Sequence, residues 1–271
     1  MEADTMIHAG VVGIAGRMGS LIAQGIADAD DLVLAGALEA QGHPMLGKDA
    51  GTVIGRDVKG VTIASDFSDA FSTCDVIVDF TLPVVTVETA RYAKDNKKHL
   101  VIGTTGFDED QLSVIHGCAE VVPVVMAPNM SIGVNVMFKV AALLAQLLGG
   151  DYDIEIFEAH HRLKKDAPSG TALGLARSIA EAKGIILEDH ACYARHGIIG
   201  QRPDGEIGIQ TLRAGDIVGD HTVLFAGNNE RIEIKHQAHS RQNFAQGALR
   251  AVRWLKDKKP GLYSMMDVLG L

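Results

Sequence analysis

The chain has few of the groups from which disulfide frameworks, thiolate metal sites and membrane spans are built. Its three cysteines, Cys74, Cys118 and Cys192, are far apart and form no CxxC pair. That odd, scattered set excludes a disulfide scaffold, predicts no metal site and suits a reducing compartment. Aromatic residues make up only 5% of the chain, so a core must be mainly aliphatic. No apolar run approaches the ~20 residues of a membrane-spanning helix. The longest, Val134 to Leu148, is interrupted by Lys139 and Gln146 and reads as a buried helix. The opening MEADTMIHAG lacks the basic start and apolar centre of a secretory signal, so a cytoplasmic protein is expected. Positive charge is also scarce: 25 Lys and Arg against 34 Asp and Glu leave a net charge of −9. This balance excludes a general nucleic-acid binder. Any anionic ligand must be held by a local basic site.

What is present in quantity is glycine, 30 residues, within a 47% apolar composition. The glycines begin in an informative place. An apolar strand, Ile7 to Ile14, runs into Gly13-Ile14-Ala15-Gly16-Arg17-Met18-Gly19. Leu21, Ile22, Gly25 and Ile26 then recur at helical spacing, and a second strand, Leu32 to Leu38, closes on Glu39. Strand, glycine turn, helix, strand and an acidic residue about twenty positions on is the layout of a dinucleotide-binding βαβ unit. The glycines let backbone approach a pyrophosphate, the helix start supplies positive potential, and Glu39 is placed to accept from ribose hydroxyls. The spacing is GxxGxxG, with Ala15 where a middle glycine often stands. Further short, β-branched runs, Asp75 to Phe80, His99 to Gly103 and Val121 to Met126, read as buried parallel strands. Helices are predicted between them near 85–94 and 109–118. The loops Thr81-Leu82-Pro83, Gly103-Thr104-Thr105-Gly106 and Ala127-Pro128-Asn129-Met130-Ser131 fall at the carboxyl ends of strands, where an open α/β sheet binds its ligand.

After Ser131 the pattern changes. A helix over Gly133 to Leu148 and a strand over Tyr152 to Ala159 lead into the string EAHHRLKKDAPSGTA, Glu158 to Ala172. It packs His160, His161, Arg162, Lys164 and Lys165 together and then breaks at Pro168 into the helix start Ser169-Gly170-Thr171. A cationic cluster beside free helix N–H groups suits a small carboxylate or phosphate. Alternating segments follow at Glu206 to Arg213, Asp216 to Phe225 and Glu230 to His239, separated by turn signals at Gly215 and Gly227-Asn228-Asn229. Three antiparallel strands joined to Tyr152–Ala159 would make an open mixed sheet, with two helices on one face and a flat face open to other subunits. A last amphipathic helix, Phe244 to Leu255, is predicted to return to the first domain, with Gly261 to Leu271 as a packed tail. The expected organisation is an α/β chain in which 1–131 and 241–271 form a Rossmann domain and 132–240 an α+β domain with a mixed sheet.

The strings GRMG (16–19), VIGTTGF (101–107), SIGVN (131–135), EAHHRLKKDAPSGTA (158–172) and LRAGDIVG (212–219) occur in the order seen in the dihydrodipicolinate reductases of bacterial lysine and diaminopimelate synthesis. The chain resembles that family over nearly its whole length. The resemblance implies a homotetramer in which NADH or NADPH delivers hydride to 4-hydroxy-tetrahydrodipicolinate, a small dicarboxylate, giving tetrahydrodipicolinate with loss of water. It implies His160 as proton donor and acceptor and Lys164 as proton donor. His161, Ser169, Gly170, Thr171 and Arg241 would contact substrate. Gly13, Ile14, Ala15, Gly16, Arg17, Met18, Glu39, Gly103, Thr104, Thr105, Ala127, Pro128, Asn129 and Met130 would contact the cofactor. Arg162 and Lys165 are left as solvated or structural, and His236 and His239 without a role. Two departures bear on the cofactor: Ala40 and Leu82 stand where some members carry an arginine suited to the 2′-phosphate of NADPH, so NADH is expected to serve at least as well. A non-catalytic dinucleotide sensor would tolerate loss of His160 and Lys164, yet both are present. A semialdehyde dehydrogenase would need a nucleophilic cysteine, and the basic cluster contains none.

Overall fold

In the computed structural model, which describes residues 6–271, the first apolar run becomes strand β1, Ile7–Val12. It turns through glycine into helix α1, Arg17–Ala27, and the chain returns as β2, Leu32–Leu38. Two short helices follow, α2 (Ala50–Val53) and α3 (Phe67–Phe71). The alternation then continues as β3 (Val76–Asp79), α4 (Pro83–Asp95), β4 (His99–Ile102), α5 (Glu109–Ala119) and β5 (Pro123–Met126). The Rossmann domain is expected to begin at residue 1; residues 1–5 lie outside the described residues.

Next come α6 (Ile132–Leu148), β6 (Asp153–His160), α7 (Gly170–Lys183), α8 (Leu187–His190) and β7 (Ala191–Cys192). Three longer strands follow: β8 (Ile207–Arg213), β9 (Gly219–Gly227) and β10 (Glu230–Ala238). The chain ends in α9 (Gln242–Leu255), β11 (Gly261–Tyr263) and α10 (Met265–Leu269). It divides into two compact units: the part up to Ser131 together with Arg241–Gly270, and Ile132–Ser240.

The first unit is built on a six-stranded sheet in the order β11-β5-β4-β3-β1-β2, and every pairing is parallel. Because successive side chains face opposite ways, its strands serve two cores. Ala9, Val11, Val76, Val78, Val101 and Val125 pack under α1 and α9 with Ile22, Ile26, Leu249 and Val252. Val12, Ile77, Leu100 and Ile102 pack under α3, α4 and α5 with Phe71, Ala90 and Ile115. Strand order reverses between β1 and β3, so the carboxyl ends of these two strands flank the crevice at which such sheets bind ligands. Gly247 lets α9 lie directly on the loop after β5: a Cβ there would stand 1.7 Å from the Met130 carbonyl oxygen. The segment read as a plain tail contributes an edge strand, β11, paired with β5. Three residues are too short a run for periodicity to register.

The second unit carries a five-stranded sheet in the order β10-β9-β6-β8-β7. It is mixed, but the expected set of three antiparallel strands is corrected. β8 runs parallel to β6, while β9 is antiparallel to β6 and β10 antiparallel to β9. Gly215 does turn the chain, at φ +51°, yet β8 and β9 are not a hairpin, because β6 lies between them. The two-residue β7 adds an edge next to β8. Helices α6 and α7 pack on each other and against the sheet, over Ile154, Ile156, Ile209, Val223 and Phe225, all buried. On the opposite face Phe157 and Leu212 remain about half exposed. Among the described residues no helix is long and apolar enough to cross a membrane.

Candidate active site

In the first unit the glycine turn follows β1. Gly13 is left-handed at φ +68°, a conformation that favours glycine, and Gly16 occupies the N-cap of α1 with no side-chain cap. The first-turn N–H groups of α1 are therefore not claimed by a side chain, as an anion-binding helix start requires. Ala15, Gly16 and Arg17 are exposed, whereas Ile14 is fully buried and Met18 packs against the core. Glu39 ends β2 and turns its carboxylate into this loop: Oε1 accepts from the Ala15 N–H at 2.7 Å, and Oε2 from the Ala40 N–H at 3.3 Å. Each oxygen keeps a further lone pair for a ligand hydroxyl.

The loops after β3 and β4 are tied together by a buried group that the sequence reading passed over. Asp79, fully buried at the end of β3, accepts from the Thr81 hydroxyl at 2.6 Å, the Thr81 N–H at 2.9 Å and the Thr89 hydroxyl at 2.7 Å. Burial pushes its carboxyl up, and those hydrogen bonds pull against that shift. The Thr81 N–H also donates to Thr104 Oγ1 at 2.9 Å, and Thr86 Oγ1 lies 2.9 Å from the same oxygen. Thr104, expected to contact the cofactor, has its side chain engaged in this network. Its hydroxyl is committed inside the protein, which leaves only its backbone, with Gly103 and the exposed Thr105, to face a ligand. In the loop after β5, Ala127 and Met130 are buried and Pro128 is exposed, while Asn129 Oδ1 accepts from the Ser131 N–H at 2.9 Å. A left-handed glycine, an uncapped helix start and an inward-turned carboxylate are what a dinucleotide needs, and these residues fit one.

In the second unit the basic string is organised around one carboxylate. Glu158 and His160 are two residues apart on β6, hence on the same face. Both are buried, and His160 Nδ1 lies 2.6 Å from Glu158 Oε2. Glu158 also receives both terminal nitrogens of Arg213, each at 2.8 Å, the Ser169 N–H at 2.9 Å and the Thr211 hydroxyl at 3.2 Å. Arg213 is brought within reach by the parallel register, which sets it beside His160. Burial alone would raise the Glu158 carboxyl; the bonds from His160, Arg213 and Ser169 outweigh it and hold the group at about 2. A buried carboxylate is tolerated only when paired and fully hydrogen-bonded, and this one is.

From there the assembly reaches the rest of the string. Arg213 donates to the Asp166 carbonyl at 2.6 Å, and Lys164 Nζ pairs with the Asp166 carboxylate at 2.9 Å. Ser169, expected to contact substrate, has its N–H and hydroxyl engaged within the protein. It is buried, its hydroxyl accepts from the Ala172 N–H as the N-cap of α7, and the same hydroxyl lies 3.1 Å from His221 Nε2. Gly170 is exposed and Thr171 half-buried, so the first turn of α7 opens outward beyond this cap. His161 is half-buried, and its Nδ1 has no hydrogen-bond partner. Arg162 and Lys165 are exposed. His221 packs edge-on to His160 with ring centroids 5.1 Å apart; burial first, and then the neighbouring His160, push it down to about 3. The structure therefore gathers His160, Lys164, Ser169 and the start of α7 around Glu158 and Arg213. Arg241 belongs to the other unit, where it opens α9. The sequence held one overlooked signal for Glu158, namely that a residue two before a candidate histidine on a strand shares its face. Arg213 lies in the string LRAGDIVG, which shows the resemblance without a role for it, and nothing local pointed to Thr211 or His221.

A glycine-turn parallel sheet, joined in one chain to a mixed-sheet unit bearing a carboxylate-held histidine and a lysine, defines a two-unit oxidoreductase working with a nicotinamide dinucleotide. Residues 7–130 match the dihydrodipicolinate reductase N-terminus and residues 133–269 the dihydrodipicolinate reductase C-terminus. The chain belongs to the dihydrodipicolinate reductase family. It is 53% identical to the 4-hydroxy-tetrahydrodipicolinate reductase of Syntrophobacter fumaroxidans, over 98% of this chain and 100% of that one. With the protein of the same name from Geotalea uraniireducens it shares 50% identity over 98% and 100%. Among solved structures it is similar to the dipicolinate-bound dihydrodipicolinate reductase from Paenisporosarcina sp. TG-14, with a TM-score of 0.78 and 27% identity, covering 97% of this chain and 99% of that one.

Proposed function

We propose that this chain reduces 4-hydroxy-tetrahydrodipicolinate to tetrahydrodipicolinate, with loss of water, as a cytoplasmic enzyme of diaminopimelate and lysine synthesis. The observation that carries the reading is the joining of His160, Lys164 and the open first turn of α7 through the single carboxylate of Glu158, in a chain that matches reductases of that name from end to end. The dinucleotide supplies hydride when bound. Gly13 to Met18 would hold its pyrophosphate and Glu39 its adenosine ribose. The backbone of Gly103 to Thr105 and of Ala127 to Met130 would border the nicotinamide.

The reaction consumes one proton beyond the hydride and expels water, so the second unit must hold a proton and two carboxylates. His160 takes and returns the proton, a role imidazole suits because its ordinary pKa lies near neutrality. Lys164 donates a proton and steadies the charge that develops on the ring nitrogen. The N–H groups of Gly170 and Thr171 at the start of α7, with the Thr171 hydroxyl, receive a carboxylate. His161 and Arg241 complete the recognition of the dianion. Ser169 holds the helix start in place instead of touching substrate. The half-exposed Phe157 and Leu212 on the open face of the mixed sheet support assembly of a homotetramer through that face, which sedimentation equilibrium would test.

The deciding assay follows NADH oxidation with freshly made 4-hydroxy-tetrahydrodipicolinate. Wild type is expected to turn over, and Lys164→Ala to lose about a hundredfold or more in kcat. No turnover by wild type would sink the reading; equal rates would remove Lys164 as the acid. Dipicolinate, planar with both carboxylates, should compete with substrate, and failure to compete would remove the dicarboxylate site.

A further inference from the structure

Glu158 is in contact with the histidine to which the reaction assigns a proton. It is fully occupied: two oxygens receive His160 Nδ1, both Arg213 nitrogens, the Ser169 N–H and the Thr211 hydroxyl. An ionised carboxylate can only accept. The 2.6 Å contact therefore requires the hydrogen to sit on His160 Nδ1. The opposite end of the ring has been kept clear. Gly219 stands beside it, and a Cβ there would lie 3.0 Å from His160 Nε2. Arg213, bidentate on Glu158, keeps the carboxylate from taking that proton itself, since protonation would break a buried, charge-assisted pair.

We propose that Glu158, fixed by Arg213, is the positioning residue of His160: it locks the imidazole in the Nδ1–H form and leaves Nε2 as the one nitrogen that exchanges a proton with substrate. This rests on the reading that His160 serves the reductase reaction. The same carboxylate sets the geometry around that nitrogen. Through the Ser169 N–H it fixes where α7 begins, and through Arg213 and the Asp166 carbonyl it fixes the turn that carries Lys164. Proton site, lysine turn and helix start are thereby indexed to one rigid group, as an orienting carboxylate should do.

The test joins a spectroscopic and a kinetic measurement. Ring-nitrogen chemical shifts in 15N-histidine-labelled wild type, assigned by loss of the signal in His160→Gln, are expected to show the Nδ1–H tautomer for His160 at pH values where the ring is neutral. In Glu158→Gln the tautomer preference should relax and kcat should fall about a hundredfold, while KM for NADH stays within about twofold. An Nε2–H tautomer in wild type overturns the proposal, as does Glu158→Gln with wild-type kcat. So does a proportional rise of KM for NADH with unchanged kcat, because a merely structural part would loosen binding without touching proton transfer. Should Glu158→Gln fail to fold, the wild-type tautomer together with Arg213→Lys, which keeps the charge but not the fork, decides the question. If wild type reduces no such substrate, the functional reading falls, and the tautomer still reports whether Glu158 sets His160.

Discussion

Gly19 lies so close under Gly13 that a Cβ on Gly19 would stand 2.0 Å from the Gly13 carbonyl oxygen. The third glycine of the motif is therefore a packing glycine: it allows the first turn of α1 to sit against the end of β1 and so aims the helix start. Gly19→Ala is expected to push the turn outward at a cost of about 1–3 kcal/mol. Thermal unfolding should show the loss in stability, and the KM for NADH should rise with kcat largely kept. A variant with unchanged Tm and KM would mean that the contact is relieved without moving the turn.

How much of this was legible beforehand varies with the range of the interaction. The βαβ unit could be read because strand period, glycine spacing and Glu39 all lie within about forty consecutive residues, and each level points to the same structure. The helix start at Ser169 was legible for the same reason. The order of the mixed sheet was not: alternation marks β8 and β9 as strands but does not say that β6 separates them, and Gly215 turns a crossover as readily as a hairpin. Arg213 reaches Glu158 only because β8 pairs in parallel with β6, across 55 positions of sequence. The resemblance implies ligand contacts for Ser169 and Thr104; that their hydroxyls also bond inside the protein is set by burial and tertiary pairing, which no local pattern reports.

Ala40 follows Glu39 and is exposed, so the position has room for a larger side chain. Placing a guanidinium there offers a forked donor to a 2′-phosphate. Ala40→Arg is expected to raise kcat/KM for NADPH by about tenfold, or about 1.4 kcal/mol, and to alter the value for NADH less. Parallel initial-rate measurements with both coenzymes check this. A wild type that already prefers NADPH strongly would overturn the expectation that NADH serves at least as well.

Asp79 gives a prediction about stability and its pH dependence. Removing the acceptor in Asp79→Ala takes the partner from the Thr81 hydroxyl and leaves the Thr81 N–H with Thr104 and the Thr89 hydroxyl with the Val85 carbonyl alone, a cost of about 1–3 kcal/mol. Asp79→Asn, nearly isosteric, should cost less. Burial raises the folded-state carboxyl above its ordinary value. Such a group contributes stability that is present below the unfolded pKa and lost as pH rises through the folded one. Asn cannot titrate, so its deficit relative to wild type should shrink as pH is raised. Urea unfolding at pH 5 and pH 8 measures the difference, and a deficit that grows with pH would contradict the assignment.

The opposite sign holds for Glu158. Its folded carboxyl is held at about 2, below the ordinary 4.5, by the donors that converge on it. A group depressed in this way contributes stability that is complete above the unfolded pKa and is lost as pH falls through the folded one. The window is therefore about pH 4.5 down to about pH 2, and the contribution at neutral pH is about 3 kcal/mol by the conversion of 1.36 kcal/mol per pKa unit. Glu158→Gln cannot gain or lose that proton. The gap in Tm between wild type and Glu158→Gln should be widest at pH 7 and narrow steadily on acidification below about pH 4.5. Because Arg213 and His160 share the carboxylate, Arg213→Ala should flatten the acid dependence in the same range. A gap in Tm that stays constant from pH 7 to pH 3 would show that the carboxylate is not held ionised by these partners. It would also remove the physical basis for its hold on His160.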